Sequence, residues 1–248
     1  MAPTPPVLLK DIVEQLSVPL RRRTSIAGTF RTRGSSQCSA SACAGSGILK
    51  GMAMNKQLGE LLQQMLETEL GGVKVYETAL QSAVNEDLKE EWTKYLDQTK
   101  KHVAIMRDIF GKIGLVDEET PGRMVVRHIG ESLVGAMKLA QQRGEPAAAE
   151  LVACECVVFA ETKDHLNWEL LSKCAEEAEG DLSVVLSEAC DQVEDEEDEH
   201  IYHSKGWCRE LWIQSLGMDA VLPPPEEQKH VKTAIGAARA EQAREELV

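Results

Sequence analysis

V-E-D-E-E-D-E-H-I-Y-H, Val193 to His203, decides how the chain is to be read. Six acids and two histidines in eleven positions look at first like a solvated helix face. The residues before them argue otherwise. Leu182, Val185, Leu186, Ala189 and Val193 make an apolar stripe with i, i+3, i+4 spacing. Continued at the same period, the stripe meets Glu196, Glu197, His200 and Ser204, then Trp207. The inward side of one long helix, from about 181 to 216, thus passes from apolar to Glu and His and back to Trp. Buried carboxylates and imidazoles are costly unless paired or bound to metal. Glu197-x-x-His200 has the i, i+3 spacing that sets two ligands on one helix face.

The rest of the chain suits helices. Aromatic residues are 4% of the 248, while Ala, Leu, Glu, Lys and Gln, all good helix formers, abound. Length predicts one large or two small domains. The net charge is −14, but residues 1–53 hold seven Lys/Arg against two acids, so the remainder carries −19. Such an acidic body disfavours nucleic acid and anionic membranes as partners. No apolar run approaches transmembrane length. The seven Cys are odd in number and lack C-x-x-C, which predicts reduced thiols in the cytoplasm rather than disulfides or zinc.

Residues 1–53 stand apart. No acid occurs between Glu14 and Glu60, and the Arg/Ser-rich run resembles a transit peptide without a secretory apolar core. The plainer expectation is a disordered extension, or mis-assigned coding sequence ahead of a start at Met52 or Met54. The helical body is expected over 54–217, and a Pro-rich spacer and charged tail, at best helical and weakly docked, over 218–248.

Within the body, Asn55 is placed to cap a helix reaching about Val84, with Leu58, Leu62, Met65, Leu66, Val73, Tyr76 and Leu80 inward and Glu69 on the same stripe. The Gly71-Gly72 pair predicts a close backbone approach or a bulge. Asn85-Glu86-Asp87 starts a second helix, whose stripe includes Thr99 and His102. A third helix spans 123–142. A fourth opens at Pro146 and carries Leu151, Cys154, Val158, Glu161, His165, Trp168 and Leu171, closed by Gly180; Asp181 caps the fifth.

The polar stripe residues fall at one height. The first hairpin turns near residue 85.5, the mean of Glu69 and His102. The second turns near 180.5, the mean of Glu161 and His200, while His165 and Glu197 average 181. A helix rises about 1.5 Å per residue, so a match within one residue is meaningful. The third helix, about 30 Å long at that rise, would carry the chain back to the end of the first turn. That places Glu161, fifteen residues after Pro146, level with Glu69 and His102.

This arrangement resembles the ferritin-like di-iron carboxylate superfamily, which includes rubrerythrins and bacterioferritins. Its pattern is Glu, E-x-x-H, Glu, E-x-x-H on four successive bundle helices. Glu69 matches the first position, His102 the histidine of the second, Glu161 the third, and Glu197 with His200 the fourth. Thr99 stands where the second Glu belongs, and His165, one turn past Glu161, is in place to make up the count. The resemblance covers about 55–216. It implies an all-α, ferritin-like four-helix bundle with a helical crossover and an extended C-terminal tail. It also implies a metal site of Glu69, His102, Glu161, His165, Glu197 and His200 holding two iron ions, with manganese second.

The family's activities are those of ferroxidases, peroxidases and oxygenases using O2 or peroxide, with a homodimer as a possible assembly. Carboxylate and imidazole without thiolate also favour iron or manganese over structural zinc. Two other readings compete. A metal-free helical interaction protein would present its acidic face to a basic partner. A di-iron oxygenase with a haem-oxygenase-like fold would use Glu196-x-x-x-His200-x-x-His203. By position, Glu196, Glu199 and His203 lie around the site, with His203 a reserve ligand. Tyr76, Tyr95 and the Met residues fill the core.

Overall fold

A computed structural model describes residues 44–247 of the chain. All the regular structure among them is helical. Five long helices come first: α1 (Ala44–Ala79), α2 (Glu86–Ile113), α3 (Pro121–Arg143), α4 (Pro146–Glu177) and α5 (Asp181–Ser215). Two short ones follow, α6 (Pro225–Gln228) and α7 (Ala234–Ala243), with a last 3-10 turn at Arg244–Glu246. Among the described residues no helix is long and apolar enough to cross a membrane. Most of the 1–53 extension lies outside the described residues.

Local chemistry sets the boundaries. Asn85 caps α2, its side chain accepting from the backbone N–H of Asp87 and Leu88. Gly114, at φ 70°, ends that helix in the left-handed region. The Thr120 hydroxyl accepts from Arg123 N to cap α3. Three boundaries differ from the sequence expectation. α1 begins at Ala44, so Asn55 lies inside the helix and is not its cap. It ends at Ala79, where the chain tightens into a turn closed by Gln81 N to Thr78 O and Ser82 N to Ala79 O. Gly180, at φ 64°, is the residue preceding α5, and Asp181 is its first helical residue.

α1 packs on α2 and α4, and α5 packs on α4 and α2, so these four long helices close a ring of contacts. α3 lies outside it, against α1 and α4. The direction of α3 is fixed at both ends. Near its start, Arg123 and Arg127 grip Glu67, with Nε–O distances of 2.8 and 2.7 Å. Near its end, Gln141 donates to the Thr78 carbonyl and the Ser82 hydroxyl. It therefore runs alongside α1 in the same sense and returns the chain to the α1–α2 turn. There Glu150, at the start of α4, accepts from Val84 N and Asn85 N at 2.6 and 2.7 Å. The Gly pair marks close approaches within an unbroken helix, not a bulge. A Cβ at Gly72 would stand 3.2 Å from Thr99 Cγ2, and one at Gly130 would stand 3.7 Å from the Gly71 Cα.

The apolar core comes in two halves. One gathers Leu62, Met65 and Leu66 with Met106, Ile109, Trp168, Leu171, Leu186 and Val193. The other gathers Val75, Tyr76, Leu88, Trp92, Tyr95, Val157, Trp207 and Leu211. Each large apolar side chain so buried contributes about 1.5–3 kcal/mol. Between the halves every ring helix contributes buried polar residues: Glu69 on α1, Thr99 and His102 on α2, Glu161 and Asp164 on α4, Glu197 and His200 on α5.

The C-terminal segment is folded back and firmly seated, contrary to the weakly docked tail expected from its composition. Arg209 holds the buried Glu226 through two bonds of 2.7 and 2.9 Å, and Arg244 Nε reaches the fully buried Glu210 at 2.7 Å. Gly206 makes room for this: a Cβ there would come within 2.6 Å of Glu226 Oε2. Two charges of the tail, Glu226 and Arg244, thus pair with Arg209 and Glu210 of α5.

Candidate metal centre

Five of the six residues expected to share a site converge in the polar layer. They form two overlapping triads, Glu69–His102–Glu197 and Glu161–Glu197–His200, each with one ligand atom per residue within 4.8 Å of the others. Glu197 belongs to both. His102 Nδ1 lies 3.0 Å from Glu197 Oε1 and 3.7 Å from Glu69 Oε2. His200 Nδ1 lies 3.5 Å from both Glu161 Oε2 and Glu197 Oε1. All five side chains are buried.

The atoms facing inward are left without hydrogen bonds. Glu69 Oε2, His102 Nδ1, Glu161 Oε2 and Glu197 Oε2 are buried and unpartnered; the 3.0 Å approach of His102 Nδ1 to Glu197 lacks hydrogen-bond geometry. The outward atoms, by contrast, are engaged. His102 Nε2 donates to Glu196 Oε2 at 2.8 Å, and His200 Nε2 donates to Gln98 Oε1 at 3.1 Å. Trp168 Nε1 donates to Glu69 Oε1 at 2.8 Å. An Nε2–H so fixed leaves Nδ1 facing inward, the arrangement a metal-ligating histidine needs once that atom is unprotonated, with the outer partner that usually accompanies it.

Without a metal the layer is strained by its own charge. Burial, and then the charges of Asp164 and Glu197, push the Glu69 carboxyl well above the usual range. Burial, then Glu197 and Glu161, do the same to Asp164. Burial would also raise Glu197, but His102 and His200 outweigh it and hold Glu197 down to about 2. Burial would lower His200, but Glu161 and Glu197 outweigh it and raise the imidazole to about 10. The layer thus combines carboxyls that resist ionisation with a histidinium–carboxylate pair, an arrangement cations would relieve.

His165 is not part of this cluster. Its ring turns outward, with Nε2 2.8 Å from Asp198 Oδ1 and Nδ1 3.9 Å from Glu169. It lines a cavity of about 210 Å³ together with Glu169, Glu194, Asp198 and the shared Glu197. His165→Ala should therefore leave the metal content of the purified protein unchanged; a lost equivalent would return His165 to the ligand set. The residue passed over in its favour is Asp164, one position earlier and buried in the layer. The buried positions in the middle of α4 include Val157, Glu161, Asp164, Asn167, Trp168 and Leu171. Leu151, Cys154, Glu161, Trp168 and Leu171 of the expected stripe are buried, while at 157/158 and 164/165 the inward residue is the one before that expected, about 100° of helix away.

Neither Glu196 nor His203 joins the cluster, so the Glu196–His200–His203 set does not gather. His203 Nδ1 lies 2.9 Å from the Tyr95 hydroxyl and 3.1 Å from Glu91 Oε1, and its Nε2 donates to the Val231 carbonyl at 3.1 Å, tying the C-terminal segment to α2. The Tyr95 ring in turn packs 4.1 Å from that of His200. Glu199 bonds Lys94 and Lys232 near the surface. The five described cysteines are free thiols, away from both triads. The described residues thus define an all-helical protein with a buried Glu/His cluster able to hold metal. No protein-family model, curated protein or solved structure matches the chain.

Proposed function

We propose that the chain is a ferritin-like four-helix protein that holds two iron ions, or manganese in their place, and uses them as an oxidoreductase or iron-handling protein with O2 or peroxide. One observation carries this reading: donor atoms from four helices, at one height, face each other buried and unpartnered, while the far sides of Glu69, His102 and His200 are hydrogen-bonded. An ionised carboxylate placed in a protein interior costs several kcal/mol. A site with three glutamates and no Lys or Arg among its donors needs a cation to offset that cost. The donor set, oxygen and imidazole without thiolate, suits iron or manganese.

Bound iron would supply one-electron redox and Lewis-acid chemistry. The protein's own part is positional. Glu196, Gln98 and Trp168 fix the two imidazoles and Glu69. Glu197 is shared by both triads and is the carboxylate in place to bridge. The cavity above Glu197 is wide enough for a metal ion or a diatomic oxidant, and its acidic lining favours the cation. Free buried thiols and an acidic body fit a cytoplasmic protein, and the charge gives no footing for nucleic acid. Anaerobic titration with Fe(II) should reach two equivalents per chain, and air should then produce a near-ultraviolet absorption band and raise no precipitate. A chain that takes up no iron or manganese, and melts alike with and without them, would leave the metal-free interaction protein as the better account.

A further inference from the structure

Thr99 is the one place where the donor pattern falls short, and the structure gives a reason. α1 and α2 approach so closely there that a Cβ on Gly72 would stand 3.2 Å from Thr99 Cγ2. The Thr99 hydroxyl is turned back onto the Tyr95 carbonyl at 2.8 Å. A glutamate at 99 would have to project into that narrow gap between backbones. On the facing helix, one turn beyond Glu161, Asp164 is 4% exposed, and its Oδ1 is buried with no hydrogen-bond partner. Residues three apart share a helix face, so Asp164 follows Glu161 as His200 follows Glu197.

The charges of Glu197 and Glu161, both donors of the cluster, add to burial in holding the Asp164 carboxyl above the usual range, while His200 and the adjacent Lys163 act the other way. Lys163 makes no direct ion pair with it; its ammonium donates to Asn167. Asn167, fully buried, is itself pinned through its amide to the Thr68 hydroxyl at 3.0 Å. Nothing among the described residues satisfies the free oxygen of Asp164, and an unpartnered buried carboxyl costs stability unless a ligand completes it.

We infer that Asp164 is a metal ligand of the centre, supplying from α4 the carboxylate that Thr99 does not supply from α2. The donor set then becomes four carboxylates and two imidazoles, enough for two ions around a shared Glu197. This inference rests on the metal-binding reading and adds to it a ligand on the helix opposite the expected one.

Asp164→Asn tests it, being nearly isosteric and removing only the charge. In anaerobic Fe(II) titrations the wild type should bind two equivalents. D164N should bind one with little change and the second at least about 100-fold more weakly, a larger loss than that of an outer partner. Metal-free D164N should melt at or above metal-free wild type, since it removes a buried acid. D164N that binds two equivalents as tightly as wild type, or that melts below it when metal-free, overturns the assignment. A wild type that binds no Fe(II) removes the metal centre as a whole, an outcome distinct from a failure of Asp164 alone.

Discussion

Glu197→Ala should empty both positions of the proposed metal centre. Each triad without Glu197 keeps only one carboxylate and one histidine, Glu69 with His102 and Glu161 with His200; even with the Asp164 carboxylate added to one of them, the ligand common to both positions is gone. Loss of an outer partner of a ligand costs about 10–100-fold in affinity. Loss of the shared ligand should exceed that at both positions, taking the metal content from two equivalents to below one tenth. Glu199→Ala is the matched control, two residues along the same helix and about 200° around it. Its carboxylate bonds Lys94 and Lys232 at 2.7 and 3.1 Å, so its removal should leave both equivalents in place. Metal analysis after equilibration with excess Fe(II) and desalting separates the outcomes. A Glu197→Ala protein that keeps even one tight equivalent would mean the two triads are not joined through this residue.

The stabilisation conferred by metal should grow steeply with pH. In the metal-free protein His200 is raised from its ordinary value to about 10. It therefore contributes stability that is complete below about pH 6.5 and is lost as pH climbs towards 10. Glu69 and Asp164 are also raised. Their protonated forms suit the folded state, so ionising them above the ordinary carboxylate range weakens it further. Glu197, lowered to about 2, acts in the other direction: its contribution is present above about 4.5 and is lost only as pH falls towards 2. From pH 6 to 8 the metal-free protein should accordingly become less stable.

A bound metal would take the place of the proton on His200 Nδ1. At one proton displaced, affinity rises about tenfold per pH unit, or about 100-fold over this range. At saturating metal that is about 2.7 kcal/mol. For a body of this size it widens the gap between metal-bound and metal-free melting temperatures by about 5–10 °C. Anaerobic melts with and without Mn(II) at pH 6, 7 and 8 measure the gap directly. A gap that stays constant or narrows would show that no cluster proton is displaced.

The helical class of the body was legible because the periodicity is long and regular. Apolar residues recur at i, i+3, i+4 through the ring helices, and Asn85, Thr120, Gly144 and Gly180 punctuate them. The height of the polar layer was legible for the same reason. A rigid rise per residue turns hairpin arithmetic into distance, and Glu69, His102, Glu161, Glu197 and His200 do meet.

Rotation about the helix axis was not legible to better than one residue. On α4, Val157-Glu161-Asp164 and Val158-Glu161-His165 both keep acceptable spacing, and a carboxyl or an imidazole is plausible in either phase. Only the packing of α4 against α1 and α5 chose between them, burying Asp164 and turning His165 to Asp198. The outer partners were equally invisible. Glu196 and Gln98 fix their imidazoles across α2 and α5, over 94 and 102 residues of sequence, and no local pattern encodes that pairing. The seat of the C-terminal segment belongs with them, since Arg209–Glu226 and Arg244–Glu210 join residues that in sequence look only solvated. Local periodicity determined which residues lie inward and at what level. Which atoms of them are left free for a metal was decided by the tertiary structure, because a donor becomes available only when its other side is held by a distant helix.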